Sequence, residues 1–305
     1  MTTVPIPRVL RSSLRYFTRE PDRLLNLLEE YRRPYGNGYS VLLNRVRFRN
    51  REDAFLNIKP PRDDRGLARL KFFIRSVHRF RDLGVYEEVI LKDDYGLSSL
   101  KKGELVIDIG AHIGFFSICA GRRVGPTGHV YSYEPMCENY EILKYNIRQN
   151  RMQRIITPAK LAVALREGPV DLFISEDNTG GHGIIRNTVA PSAKIEKVQA
   201  TTLKRVIEDN AIEACDFLKM DCEGAEWDIL FSSEDILPRI KRMALEVHTV
   251  GDRKPPDLID FLNKNDFTSY FSKIHDDLAI VKSIRSHAER REDGRGEPHH
   301  WGDNP

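Results

Sequence analysis

The sequence predicts an α/β fold: a mostly parallel sheet with helices on both faces and an antiparallel hairpin at its C-terminal end. Three features point there. They are the run Glu104-Leu-Val-Ile-Asp-Ile-Gly-Ala-His-Ile-Gly114, the alternation of apolar and helical segments after residue 99, and the short turn His275-Asp-Asp277. An apolar run bounded by turn residues suits a strand buried on both faces. Alternating strands and helices build a parallel sheet through crossovers. The last turn is too short for a crossover, so its two strands pair antiparallel.

The elements follow in order. Residues 8–33 read as a basic amphipathic helix, with Leu10, Leu14 and Phe17 on one side and Arg8, Arg11, Arg15 and Arg19 around another. Leu24, Leu25, Leu27 and Leu28 extend it beyond Pro21. Pro34 to Gly38 and Lys59-Pro-Pro61 are breaks, and a second helical stretch is predicted over Gly66 to Phe80. Strands are predicted over 104–109, 129–133, 155–160, 170–175, 195–200, 216–221, 242–248, 267–271 and 278–282. Helices are predicted over 114–122, 136–150, 202–210, 224–231 and 256–264. Residues 285–305 carry almost no apolar side chains and are predicted to be a disordered tail. The expected organisation is a basic helical leading segment over 1–95, one α/β domain over 96–284, and the tail.

Composition narrows the function classes. Net charge is only +3, yet residues 1–95 carry 20 Lys/Arg against 13 Asp/Glu while the remainder carries 28 against 32. Such a leading segment can lean on a membrane surface, a nucleic acid or an anionic substrate, or form a solvated face packed on its own domain; its amphipathic helix suits peripheral contact with anionic lipid. Cys119, Cys137, Cys215 and Cys222 show no C-x-x-C pair and no zinc spacing. Small buried thiols in a reducing, cytoplasmic compartment are the expectation. No apolar h-region is present, and Asp108 and His112 interrupt the best candidate for a membrane span. A soluble or membrane-peripheral protein is expected. Nucleic acid is not an expected partner, because an N/D-P-P-Y-type motif and a strong basic stripe are both missing.

The first motif reads as a nucleoside site. Gly110 and Gly114 let the backbone turn and a ligand come close. Glu134, ending the next strand in Tyr131-Ser-Tyr-Glu134-Pro135, stands where an open α/β sheet grips a ribose by its hydroxyls. A dinucleotide turn needs G-x-G-x-x-G so that backbone N–H groups cradle a pyrophosphate. Here the pattern is D-x-G-x-x-x-G, and Asp108 would repel phosphate while favouring a sulfonium or ammonium. The predicted ligand contains adenosine, carries positive charge and lacks phosphate, as S-adenosylmethionine does. A nicotinamide-dependent oxidoreductase is the enzymatic rival, disfavoured by the missing third glycine.

The second motif is Asp216-Phe-Leu-Lys-Met-Asp-Cys-Glu-Gly-Ala-Glu226. A strand ending at Asp221 and a helix beginning near Gly224 place Lys219, Asp221, Glu223 and Glu226 at the carboxyl edge of the sheet. Glu223 and Glu226 also suit a helix N-terminus on electrostatic grounds alone. Asp221 has no such local reason and is the stronger functional candidate. Glu246 and His248, two apart on the next strand, share a face. His248 is a candidate general base, oriented by Glu246 or Asp221. A structural histidine, or a divalent ion on Asp221, Glu246 and His248, are the other readings. Asn178-Thr-Gly-Gly-His-Gly183 reads as a loop near the site that carries His182, or as a plain turn, and Tyr86 and Tyr95 as aromatics able to close over it.

On these residues the chain resembles the FkbM family of S-adenosylmethionine-dependent methyltransferases. The resemblance spans roughly residues 100–282. It rests on Val106-Ile-Asp-Ile-Gly-Ala-His-Ile-Gly-Phe-Phe-Ser117, Gly128-His-Val-Tyr-Ser-Tyr-Glu-Pro135, Asn139-Tyr-Glu-Ile-Leu-Lys-Tyr-Asn146, Lys219-Met-Asp-Cys-Glu-Gly-Ala-Glu226 and Leu245-Glu-Val-His248. It implies a Rossmann-like class I methyltransferase with a seven-stranded sheet, acting on hydroxyls of sugars, glycolipids or polyketides. By position it implies a cofactor site of Asp108, Gly110, Ala111, His112, Gly114, Glu134, Pro135 and Asp221, and a reaction edge at Asp221 and Glu223. With Glu246 and His248 these complete the catalytic candidates. His112 stands where the family often has Asn, and Lys204 where an Asp is common, which removes a role from that helix start. The expected partner is a small-molecule or glycan acceptor. A non-catalytic scaffold subunit that binds the cofactor is the rival of another class, disfavoured by so many carboxylates at one edge.

Overall fold

The computed structural model of the chain describes residues 46–48, 53–57, 67, 70–75, 79–175, 181–185, 194–274 and 278–286. The chain divides into two compact units, residues 1–47 and 48–305, and the second is described below. The helix predicted over 8–33 and the tail after residue 286 lie outside the described residues.

Strands β1 (Asp53–Asn57) and β2 (Lys71–Arg75) pair antiparallel. The helix predicted over 66–80 is therefore interrupted by a strand. The cause is a two-residue period: Phe72 and Ile74 are fully buried, while Lys71 is exposed and Phe73 only partly buried. Helix α1 begins only at Arg79, runs to Tyr86 and continues as a π turn over Glu87–Leu91. The second compact unit contains these elements as well as those that follow.

Further along are β3 (Leu105–Ile109), α2 (Phe115–Val124), β4 (His129–Tyr133), α3 (Cys137–Gln149) and β5 (Ile156–Ala159). Strands β6 (Ala162–Val163), β7 (Gly168–Ile174) and β8 (Lys194–Thr201) follow, then α4 (Leu203–Asp209), β9 (Phe217–Met220) and α5 (Glu226–Phe231). The chain closes with β10 (Arg242–His248), α6 (Pro255–Lys264), β11 (Phe267–Ile274) and β12 (Leu278–Arg285). Seven strands form one sheet in the order β11-β12-β10-β9-β3-β4-β5. The five from β10 to β5 are parallel, and β12 pairs antiparallel with both β10 and β11, as the short final turn requires. This is the Rossmann-like class I arrangement.

One departure concerns the strands near 170–175 and 195–200. With β6 they form a separate sheet, β6-β8-β7, outside the main one. β7 and β8 pair antiparallel with each other, which a parallel crossover sheet does not accommodate.

Two asparagines on α3 bind β2 to this fold. Asn146 Oδ1 accepts the Phe73 N–H at 2.6 Å, and its amide donates to the Phe73 and Ile113 carbonyls at 3.2 and 2.9 Å. One turn later Asn150 accepts from Lys71 N and donates to Lys71 O, at 3.0 and 2.7 Å. Side-chain amides here complete backbone groups that a further strand would otherwise satisfy. Of the four free cysteines, Cys119 and Cys215 are buried, whereas Cys137, at the start of α3, is exposed rather than buried as expected. No helix among the described residues is long and apolar enough to cross a membrane.

Candidate active site

The strand order runs outward from β3 to β4 and β5 on one side and to β9 and β10 on the other. Ligands of open α/β sheets bind at such a reversal, beyond the carboxyl ends of the strands. The loop after β3 and the loop after β9 meet there. Gly110 has φ +74°, and a Cβ on it would stand 1.7 Å from the Asp221 carbonyl oxygen. Only glycine permits that approach. On the other flank the N–H groups of Gly110 and Ala111 both donate to Tyr133 O, at 3.0 Å each. Gly114, at φ +95°, leaves room for Leu143, whose Cδ1 would lie 2.6 Å from an added Cβ.

Below this loop runs a buried polar row. Lys219 registers with Asp108, and Asp108 with Ser132, so the three side chains emerge on one face of adjacent strands. Ser117 from α2 donates to Asp108 and meets Ser132 Oγ at 2.8 Å. Lys219 Nζ lies 3.5 Å from Asp108 and 3.6 Å from Asp221, and donates to Gly110 O at 2.8 Å. Burial alone would lower the Lys219 ammonium, but Asp108, Asp221 and Glu246 outweigh it and raise its pKa. Burial raises the Asp108 carboxyl, against Lys219 and Ser117. Asp108 is fully buried and does not line the cavity above the loop. Its position is that of a counter-ion to Lys219.

That cavity holds about 770 Å³ of empty space, part of it open to solvent. Gly110, Ala111, His112, Glu134, Pro135 and Asn139 line it, together with Lys219, Asp221 and Cys222. Val85 and Val89 from the leading segment, with Val163 and Leu172, make apolar walls. Glu134 is held by the N–H groups of His112 at 2.8 Å and Met136 at 3.0 Å, and by the Asn139 amide at 3.4 Å. Burial nevertheless pushes its carboxyl up to about 7. A carboxylate oriented by three donors and still short of compensation suits a diol that donates two more. With apolar walls for an adenine and no phosphate cradle, the residues fit S-adenosylmethionine. Gly114 acts one step back, by letting the loop turn into α2.

The acidic edge continues from Asp221. Glu223 adopts φ +55° and Gly224 φ +96°, a left-handed pair that non-glycine residues enter only under constraint. Glu226 is spent locally, its Oε1 accepting from the N–H groups of Cys222 and Gly224 at 2.9 and 3.3 Å, as the helix N-terminus reading expects. His248 faces Glu223 at 3.3 Å, Glu226 at 3.6 Å and Glu246 at 3.7 Å. Trp227 Nε1 fixes that strand end by donating to His248 O at 2.8 Å. Burial works against the charged imidazole, but Glu226, Glu223 and Glu246 prevail and lift it to about 10. Burial raises Glu223 to about 8, His248 partly opposing it. Glu246 also reaches about 8, first through burial and then through Asp221. Among the described residues no group of three His, Cys, Asp or Glu is arranged to hold a metal ion.

Two residues have parts in the site that sequence reasoning did not assign. Lys219 belongs to the quoted motif, but nothing in the motif says that it reaches back to Gly110. Tyr95 donates its hydroxyl within 2.6 Å of Glu246 and 3.0 Å of Asp221, with its ring 5.2 Å from Lys219 Nζ. Tyr86 instead packs edge-on against Phe115, 5.7 Å between centroids. His182 lines the cavity and accepts the Ser175 N–H at 3.1 Å, while residues 176–180 of that loop lie outside the described set.

Residues 108–269 match the methyltransferase FkbM domain, more than half of the 305 residues. The chain is 21% identical to the hexuronic acid methyltransferase AglP of Haloferax volcanii, over 69% of this chain and 83% of AglP. It is 22% identical to the methyltransferase sdnD of Sordaria araneosa, over 48% of this chain and 66% of sdnD. It is 25% identical to the AMB antimetabolite synthetase AmbE of Pseudomonas aeruginosa, over 55% of this chain but only 10% of that much longer protein.

Proposed function

The chain belongs to the FkbM methyltransferase family, and from that premise we propose that it is an S-adenosylmethionine-dependent O-methyltransferase acting on a hydroxyl of a sugar, glycolipid or related small molecule. The observation that carries this reading is the acidic edge beside the cofactor cavity: Asp221 lines the cavity, and Glu223 and Glu246 behind it are both lifted to about 8. When bound, the cofactor supplies a methyl group on a sulfonium, so the leaving group needs no help. The protein has to align the acceptor, exclude water and accept a proton.

Alignment alone is worth roughly 7–11 kcal/mol in well-oriented systems. A phenol or carboxylate acceptor would need little more. An aliphatic hydroxyl is far less acidic, and a positioned base then adds about 10²–10⁴ in rate. Carboxyls at about 8 are protonated below that pH and comparatively strong bases once ionised above it, which suits them to that task on the mildly alkaline side. His248 suits it less: surrounded by Glu223, Glu226 and Glu246, it is an imidazolium near pH 7 and has no lone pair to offer. Its part is to keep those carboxylates in place as their shared counter-ion. Lys219 and Asp108 set the floor of the site, and Glu134 and Pro135 the ribose end.

The hexuronic acid in AglP's name offers both hydroxyls and a carboxylate. A carboxylate acceptor needs no base whereas an aliphatic hydroxyl does, so a site with a carboxyl-rich edge favours the hydroxyl as acceptor. The test is transfer of labelled methyl from S-adenosylmethionine to a panel of neutral and acidic glycosides, with products resolved by mass and NMR. Methyl ethers are expected. Label found only in methyl esters, or in no product, would overturn the proposal.

A further inference from the structure

Tyr95 lies ahead of residues 108–269, the part that matches the family domain, yet its hydroxyl is built into the acidic edge. The ring is buried, packed edge-on to Phe116 at 6.3 Å, and Gly96 at φ +72° turns the chain directly after it. One phenolic hydrogen faces two carboxylates. Its 2.6 Å separation from Glu246 Oε2 falls in the range of an O–H donor to a charged oxygen. The hydrogen therefore belongs to that contact, which leaves a phenol lone pair facing Asp221 Oδ2 at 3.0 Å. Lone pair against carboxylate is repulsive until Asp221 receives a proton, and then becomes a hydrogen bond.

We propose that Tyr95 is a proton-relaying residue that connects Asp221, at the wall of the cofactor cavity, to Glu246 behind it. This rests on the O-methyltransferase reading. As the acceptor oxygen forms its bond to the methyl carbon, the C–S bonding pair leaves with sulfur and the sulfonium becomes a neutral thioether. The hydroxyl proton passes to Asp221 Oδ2. Asp221 then donates to Tyr95 Oη while the phenolic proton moves to Glu246 Oε2. The net result is one proton moved from acceptor to Glu246, and Tyr95 is again a neutral phenol, its hydrogen now facing Asp221 until the hydroxyl rotates back. The groups facing this relay are Lys219 from β9, Glu223 from the following turn, His248 from β10 and Glu88 from the π turn. Lys219 and His248 offset the negative charge on Asp221 and Glu246.

The test uses the full chain and the variants Tyr95→Phe and Glu246→Gln. Tyr95→Phe keeps the buried ring and removes only the hydroxyl. In the protein alone, the Glu246 side-chain carboxyl is followed by ¹³C NMR against pH and assigned by its loss in Glu246→Gln. Its titration should move to higher pH in Tyr95→Phe, because a donor to the charged form is gone. An unmoved titration overturns the relay whether or not an acceptor is known. In turnover, Tyr95→Phe should lower kcat about tenfold or more with KM changed less than about threefold. The alkaline rise of kcat should vanish in both Tyr95→Phe and Glu246→Gln, since each breaks the path to Glu246. A wild-type kcat–pH profile in Tyr95→Phe also overturns it. If the NMR shift is seen and the wild type methylates no hydroxyl, the reaction assignment fails and the Tyr95 link stands.

Discussion

Lys219 Nζ donates to the carbonyl oxygen of Gly110 at 2.8 Å, so the second motif of this chain physically holds the first. The same ammonium sits between Asp108 and Asp221. Lys219→Met should therefore do two things, strand a buried Asp108 and release the glycine loop. Removing one partner of a buried ion pair costs about 3–5 kcal/mol. Urea unfolding should show a loss of that order, and the double variant Asp108→Asn with Lys219→Met should be less destabilised than the two single losses added together.

Gly110→Ala is expected to abolish measurable S-adenosylmethionine binding in calorimetry. Its Cβ would overlap the Asp221 carbonyl at 1.7 Å, a backbone atom with nowhere to go. Gly125→Ala provides the contrast. That glycine has φ +68° but open space around its missing side chain, so the change should cost about 1–2 kcal/mol in stability and leave cofactor affinity as it was.

Cofactor affinity should depend on pH through Glu134. Its carboxyl stands at about 7 in the unliganded site, and only the ionised form offers both oxygens as strong acceptors to the two ribose hydroxyls. Affinity is then expected to strengthen as pH rises through about 7 and to weaken below it. Glu134→Gln should flatten that dependence and weaken binding by roughly 1.5–3 kcal/mol, about 10–150-fold, measured by calorimetry from pH 5.5 to 8.5.

Stability should fall as pH rises from about 5 toward 10. Glu223 and Glu246 are raised from 4.5 to about 8, so the folded state holds protons that the unfolded chain has already lost in that window. His248, raised from 6.5 to about 10, binds its proton more tightly when folded, and that contribution disappears between those values. Both signs agree. Thermal midpoints across the range should show the decline, and Glu223→Gln should flatten its lower half.

Much of the fold was legible because it is written in local periodicity. Strands β4 and β10 fall where their apolar alternation and flanking turns put them, and the hairpin β11–β12 followed from the length of one turn. Residues 71–75 were misread as helix because five residues of mixed pattern cannot report their period until Phe72 and Ile74 find something to pack against. The pairing of β7 with β8 apart from the main sheet was likewise decided by partners distant in sequence.

In the site, residue types and spacings were enough to bring Gly110, Glu134, Asp221 and Glu246 forward, since a tight turn and a strand end are local events. Their chemical states were not. A carboxylate near pH 8 or an imidazolium near pH 10 depends on burial and on charges brought from other strands. Tyr95 and Lys219 acquire their roles the same way, across 151 residues to Glu246 and 109 to Gly110. Local pattern thus settled the order of the elements and the kind of cofactor. Where the protons reside, and which side chain connects them, was decided only when the folded sheet brought those charges together out of water.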